Sequence, residues 1–182
     1  MELKGEKVVL KPIQSTYFRW FLSWFNSPGV IEHFNFYLPI TKDFKERWIK
    51  ELTQEKKTFF VIVAIDEKGQ ETEPMGTCGF YNFRCRDTVC NFGVIITDEV
   101  HWRKGYGLEA TKLLVDYGFT VLNLKKIESG VLATNKPALR LHEKLGFVQE
   151  GVQREHICID GGKIDLILFG LHREEWEKKR QS

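Results

Sequence analysis

The middle of the chain restricts the fold more than any other part. Residues 90–97 read CNFGVIIT, an apolar, β-rich run. A short basic loop carrying Gly105 and Gly107 follows. After it comes the longest helical stripe in the sequence, with Leu108, Thr111, Leu114, Val115, Gly118, Phe119 and Leu122 on one face. Residues 127–133 are β-rich again. Strand, helix and strand in that order make a crossover unit, which joins parallel strands.

The flanks carry a different pattern. Residues 59–65 and 75–82 are β-rich runs joined by the polar loop 66–74, and residues 152–159 and 163–171 flank Asp160-Gly161-Gly162. Both pairs read as antiparallel hairpins. Residues 7–13 give a first strand, with Pro12 near its end. Phe18, Phe21, Leu22 and Phe25 then mark an amphipathic helix that Asn26-Ser27-Pro28-Gly29 stops. Thr41 can cap a second helix, in which Phe44, Trp48 and Leu52 recur every fourth residue. Residues 137–145 form a helix ended by Gly146, and a charged helix at 173–180 closes the chain. The order β-α-α-β-β-β-α-β-α-β-β-α predicts one α/β domain over residues 1–182. Its sheet is mixed and mostly antiparallel, with helices on both faces.

Composition narrows the function classes. With 42% hydrophobic and 29% charged residues, the chain is globular and not disordered or collagen-like. Lys and Arg total 27 against 25 Asp and Glu, a net charge of +2, which argues against a dedicated nucleic-acid binder. The opening MELKGEKVVLKP has no apolar core of a secretory signal, and no run is long and apolar enough to span a membrane. Cys78, Cys85, Cys90 and Cys158 form no CxxC pair, so no metal site is expected. Unpaired, spread cysteines fit buried or idle thiols in the reducing cytoplasm.

The segment that carries chemistry runs from Val94 to Ala110. Glycine lets the backbone approach a ligand and adopt positive φ, and a helix start offers unpaired N–H groups with a partial positive charge. Arg103 and Lys104 add formal charge. Together these make an anion site suited to a pyrophosphate, and the bland alternative is a tight strand-to-helix turn. Gly105, Gly107 and Ala110 also satisfy the dinucleotide fingerprint G-x-G-x-x-G/A, but its acidic partner should close the next strand, whereas Glu128 opens it. A P-loop fails because no GK[ST] follows.

At this point the sequence resembles the GNAT-superfamily N-acetyltransferases, in the branch that modifies ribosomal proteins and spermidine. The resemblance rests on VVLKPI, NFGVII, WRKGYGLEA, LLVDYGFTVLNLKKI, NKPALRLHEKLGF with VQEG, and ICIDGGKIDLILFGLHREEW, in that order. It implies a sheet splayed at a cofactor cleft, with acetyl-CoA as co-substrate. The family's Q/R-x-x-G-x-G/A loop falls on Trp102, Arg103, Lys104, Gly105, Tyr106 and Gly107, with Trp102 in place of Gln or Arg. The pantetheine arm is expected along the backbone of Val94, Ile95 and Ile96, where an N–H can also polarise the thioester carbonyl.

The resemblance also implies roles farther along the chain. The frame N-x-x-A-x-x-x-Y places Asn135 and Ala138 at cofactor contacts and puts His142 where the family usually has the Tyr that protonates the thiolate. An imidazolium with a pKa of about 6.5 can donate a proton, so His142 is the candidate acid; packing is its other reading. Asn135 is likewise a cofactor contact or a helix cap.

Asn91 stands where related enzymes often have a Glu base, and it cannot accept a proton at neutral pH. Asp98 and Glu99 read as solvated loop acids, so no base is assigned. Cys85 and Cys90 lack the His–Asp arrangement of a covalent nucleophile. Glu32, His33 and Asn35, with Asp43 and Glu46, can meet a cationic acceptor between aromatic walls of Phe34, Phe36 and Tyr37. The expected acceptor is a small-molecule amine or a protein amino terminus, and a homodimer is allowed for. An acyl-CoA-binding regulatory module without turnover is the alternative, with ribosome or RNA association a third idea.

Overall fold

The computed structural model describes residues 1–25, 58–84, 86, 88–97, 99–159 and 161–181. The stop at residues 26–29, the second helix begun at Thr41, and Glu32, His33, Phe34, Asn35, Phe36, Tyr37, Asp43 and Glu46 lie outside the described residues. So do Cys85 and Asp98.

The strands run in the order β1-β2-β3-β4-β5-β6-β8-β7. They are β1 Leu3–Lys4, β2 Val8–Pro12, β3 Thr58–Ile65, β4 Glu71–Arg84, β5 Val89–Ile96, β6 Lys126–Leu132, β7 Val148–Ile159 and β8 Gly162–His172. The helices are α1 Phe18–Phe25, α2 Tyr106–Thr120, α3 Lys136–Leu145 and α4 Arg173–Gln181. The residues divide into two compact units, Met1–Asn82 with Gly93–Leu114, and Phe83–Phe92 with Val115–Ser182.

In the first unit β1, β2, β3 and β4 pair antiparallel in succession. Val8, Val9 and Leu10 are all buried, as are Phe60, Val61, Ile62, Val63 and Ala64, so these strands are covered on both faces. Phe21 and Trp24 of α1 pack on Val9, Val61 and Val63, with ring centroids 5.5 Å apart. Each such side chain contributes about 1.5–3 kcal/mol by leaving water. The β3–β4 turn is closed by Asp66, whose carboxylate accepts from the N–H groups of Lys68 and Gln70 at 2.9 and 2.8 Å.

β4 begins at Glu71, earlier than the expected 75, because Glu71 and Pro74 pair with Ile65 and Val63 across bulges. Residues 71–73 are exposed, so backbone pairing there leaves no apolar signature. β1, Leu3–Lys4, is only two residues long, too short to leave an apolar pattern.

In the second unit the crossover is as expected. β5 pairs parallel with β6 at Val89↔Lys126, Cys90↔Ile127 and Asn91↔Glu128. β6 and β8 are antiparallel, as are β7 and β8. β7 starts at Val148, four residues earlier than predicted, where exposed Val148 and Gln149 pair with Gly170 and Phe169. Helix α2 ends at Thr120, so Leu122 falls beyond it. Val115 and Phe119 bury its stripe in this unit.

Helix α3 ends at Gly146 as expected, and of the two readings of Asn135 the structure shows the cap. Asn135 caps its start, accepting from the Ala138 N–H at 3.1 Å. Gly146 ends it in the left-handed region at φ 87°. The closing helix is anchored by buried Trp176 and by Arg173, which donates to the Leu124 carbonyl and to Asn123 Oδ1.

Candidate functional site

The first unit contains a strand end, a loop and a helix start in continuous sequence. Val94, Ile95 and Ile96 are half-buried at the end of β5. Successive residues of a strand aim their backbone groups at opposite edges. Thr97 N–H donates to Met75 O at 3.0 Å, and Ile95 O lies so near Gly76 that a Cβ there would sit 2.0 Å from it. Residues of that parity therefore face β4, and only glycine fits at position 76. Val94 and Ile96 turn their N–H and C=O groups to the opposite edge.

After β5 the chain makes a 3-10 turn, Glu99–His101, and then the loop. Arg103 has φ 61° and Gly105 φ 88°, two left-handed residues separated by one. Gly105 takes that conformation without steric cost, while Arg103 is held in a region that side chains other than glycine rarely occupy. Glu109 N–H donates to Gly105 O at 3.0 Å, which makes Gly105 the first acceptor of α2. The N–H groups of Tyr106, Gly107 and Leu108 then precede the helical ladder. Arg103, Lys104 and Gly105 are exposed beside them. Exposed donors, a helix start and two cations suit a phosphate.

Trp102 ties this loop to the strand. Its Nε1–H donates to Ile96 O at 3.0 Å, and its own N–H donates to Glu99 O at 2.9 Å. The indole takes one of the outward-facing carbonyls, so Val94 keeps the carbonyl most suited to an added partner. The β1–β2 turn is fastened from α2 by the Glu109 carboxylate, which accepts from Glu6 N–H and Lys7 N–H at 2.8 Å each. No sequence signal linked these positions, which lie 103 and 102 residues apart.

The second unit holds Asn135, Ala138 and His142 on α3. Asn135 Oδ1 is committed to the cap. His142 is 3% exposed. Its ring lies among Phe92, Phe147 and Phe169, at centroid distances of 5.3, 5.0 and 4.9 Å. Nδ1 is 2.8 Å from Ala138 O, a contact that requires Nδ1 to carry the proton. Nε2 is buried and has no hydrogen-bond partner among the described residues. Burial lowers the pKa of the ring, and the bond to Ala138 opposes that shift. In the neutral ring Nε2 is therefore an acceptor, and proton donation from it requires first charging the ring.

Asn91 is also committed. Arg84 donates to its Oδ1 through Nη1 at 2.7 Å, and the other arm of the same guanidinium grips Glu128. Lys126 completes the group, 3.1 Å from Glu128 and 2.7 Å from Glu150. No sequence signal pointed to Arg84, whose partner Glu128 lies 44 positions away. Cys78 and Cys90 are buried, and burial raises both thiol pKa values, that of Cys90 to about 12. Neither is a thiolate at neutral pH. Cys158 is exposed. Among the described residues no group of three His, Cys, Asp or Glu side chains is placed to hold a metal ion, and no helix is long and apolar enough to cross a membrane.

A mixed sheet with one parallel crossover, in which a basic, glycine-bearing loop leads from strand to helix, defines an α/β domain. Within that class the chain belongs to the GNAT acetyltransferases: the family model described as "Acetyltransferase (GNAT) domain" matches residues 7–148.

The uncharacterized N-acetyltransferase p20 of Bacillus licheniformis is 38% identical over 57% of this chain, a match that takes in 58% of that relative's length. The SPbeta prophage-derived uncharacterized N-acetyltransferase YokL of Bacillus subtilis is 30% identical over 78% of this chain and 76% of its own. Among solved structures, spermidine N-acetyltransferase from Vibrio cholerae in complex with CoA and spermine superposes with a TM-score of 0.82 at 23% identity. That alignment covers 95% of this chain and 99% of the other.

Proposed function

We propose that this protein transfers the acetyl group of acetyl-CoA to a primary amine, by direct attack in a ternary complex and within one domain. The observation that carries this reading is the loop from Trp102 to Gly107, where helix-start N–H groups, Arg103 and Lys104 converge beside the outward-facing backbone of Val94 and Ile96. The pyrophosphate would bind the loop. The pantetheine amides would pair with Val94, and an N–H of Val94 or Ile96 would polarise the thioester carbonyl. Losing such a donor costs about 10²–10³ in rate. Cys78 and Cys90, buried and protonated, give no route through an acyl-enzyme.

Proton movement falls to His142 in this reading. The amine attacks the thioester carbon, and the new C–N bond leaves an extra proton on nitrogen. Nε2, an acceptor in the neutral ring, takes that proton. The C–S bond then breaks, and Nε2–H returns the proton to the departing thiolate. The ring ends neutral, as it began. His142→Ala then lowers kcat about 10²-fold or more with acetyl-CoA affinity kept.

The 3% exposure of His142 favours a second reading, in which the ring only packs among its three Phe neighbours. In that case His142→Ala lowers Tm and leaves kcat within about twofold of the parent.

The acceptor is proposed to be a small cationic amine. The Vibrio cholerae fold neighbour holds spermine, so polyamines head the panel, followed by amino sugars and peptides with free amino termini. Incubation with ¹³C-acetyl-CoA and each amine, followed by NMR of the acetamide product, tests the reading. Cofactor binding without product from any amine would favour a regulatory module.

A further inference from the structure

The β1–β2 turn brings to the loop a residue that the family's loop pattern does not contain. Glu109, in the first turn of α2, accepts the backbone N–H groups of Glu6 and Lys7, and it crowds Gly5 so closely that a Cβ there would lie 2.7 Å from its Oε1. The turn is thus fixed by its backbone, with the Lys7 side chain left exposed. That side chain reaches the loop: Lys7 Nζ donates to Lys104 O at 3.3 Å, and a Cβ built on Gly105 would lie 3.6 Å from it.

An ammonium has three N–H donors, and the bond to Lys104 spends one. The nearby Glu109 carboxylate is occupied by the two backbone N–H groups. Among the described residues no carboxylate lies within ion-pair distance of Lys7.

We propose that Lys7 is a phosphate-binding residue of the cofactor site. It is a third cation beside Arg103 and Lys104, contacting the pyrophosphate of acetyl-CoA through Nζ while Glu109 holds its backbone in place. The proposal rests on the reading of the loop as the pyrophosphate site. Its basis is that Nζ lies over Gly105, the left-handed residue that opens the helix, where helix-start N–H groups and the cation can meet one anion. The sequence gives no hint of it, because Lys7 lies 97 residues before Lys104.

The test is steady-state kinetics on the full chain with Lys7→Met, Lys7→Arg and Arg103→Ala, using acetyl-CoA and acetyl-dephospho-CoA, which lacks the 3′-phosphate. Lys7→Met should raise the KM for acetyl-CoA about tenfold or more, the scale of one charge-assisted hydrogen bond, with kcat within about twofold. The increase should shrink in high salt, as a charge contact requires. Lys7→Arg should stay near the parent. The same rise with acetyl-dephospho-CoA supports the pyrophosphate, whereas a rise seen only with acetyl-CoA overturns that assignment in favour of the 3′-phosphate. An unchanged KM in Lys7→Met, with a raised KM in Arg103→Ala, overturns the role of Lys7 and leaves the loop reading intact. An unchanged KM in both variants removes the loop reading itself. Kept kcat and Tm in Lys7→Met exclude misfolding as the cause of a raised KM.

Discussion

The indole N–H of Trp102 donates to the backbone carbonyl of Ile96 at 3.0 Å, fastening the loop that precedes α2 to the end of β5. The bond joins two residues six positions apart and spans the 3-10 turn between them. It gives Trp102 a positioning role where the family pattern has Gln or Arg.

Trp102→Phe keeps an aromatic ring and removes the donor. A neutral hydrogen bond contributes about 0.5–1.5 kcal/mol, so a loss of Tm by a few degrees is expected by differential scanning fluorimetry. Because the loop then holds its geometry less well, KM for acetyl-CoA should rise several-fold while kcat changes less. A kcat loss at constant KM would show that the indole acts on the reacting atoms instead.

His142 predicts a pH dependence of stability. Its folded pKa lies below the unfolded value of about 6.5, so below that value the unfolded chain binds the proton more readily than the folded one. The contribution is fully present above pH 6.5 and is lost as pH falls towards the lowered folded value. Tm of the parent should therefore drop more steeply between pH 7 and pH 5 than Tm of His142→Leu, measured in matched buffers. Equal slopes for the two proteins would place the ring in a setting that does not favour its neutral form.

Asn135 separates capping from cofactor contact. Asn135→Ala removes the acceptor for Ala138 N–H and should cost about 1 kcal/mol by urea titration. Asn135→Asp keeps an acceptor and should restore most of that stability. If the side-chain NH₂ also touches the cofactor, Asn135→Asp raises KM for acetyl-CoA despite its restored stability. A parental KM in the Asp variant leaves Asn135 as a cap alone.

The thiols make a simpler test. In the native protein, brief alkylation followed by peptide mapping should label exposed Cys158 and spare Cys78 and Cys90, whose burial both shields them and raises their pKa. Labelling of Cys90 at a rate matching Cys158 would contradict the buried site described for it.

What the sequence revealed and what it hid follow from the reach of each interaction. The crossover through α2 and the αL turn at Gly105 were legible because a few adjacent residues determine them. Gly146, the end of α3, was legible for the same reason, whereas the Asn135 cap was only one of two readings. The starts of β4 and β7 were not legible, since Glu71 joins the ladder opposite Ile65 in a stretch, 71–73, that is exposed and polar, and Val148 and Gln149 are likewise exposed.

The reach of Arg84 to Glu128 as well as to Asn91 requires the segment 84–91 to fold against a strand 44 positions away. The same holds for the grip of Glu109 on the first turn. The setting of His142 was not legible either: its bond to Ala138 O and its burial among Phe92, Phe147 and Phe169, which lowers its pKa, emerge only in the folded chain.

The central claim is acetyl transfer to an amine from a cofactor held at the loop from Trp102 to Gly107. Its most direct test is thiol release from acetyl-CoA, followed with and without a panel of amines, for the parent and for Arg103→Ala with Lys104→Ala. Amine-dependent release, with KM for acetyl-CoA raised about tenfold or more in the double variant and kcat largely kept, is the predicted result. Release that no amine accelerates, or a KM indifferent to the loss of both cations, would contradict it.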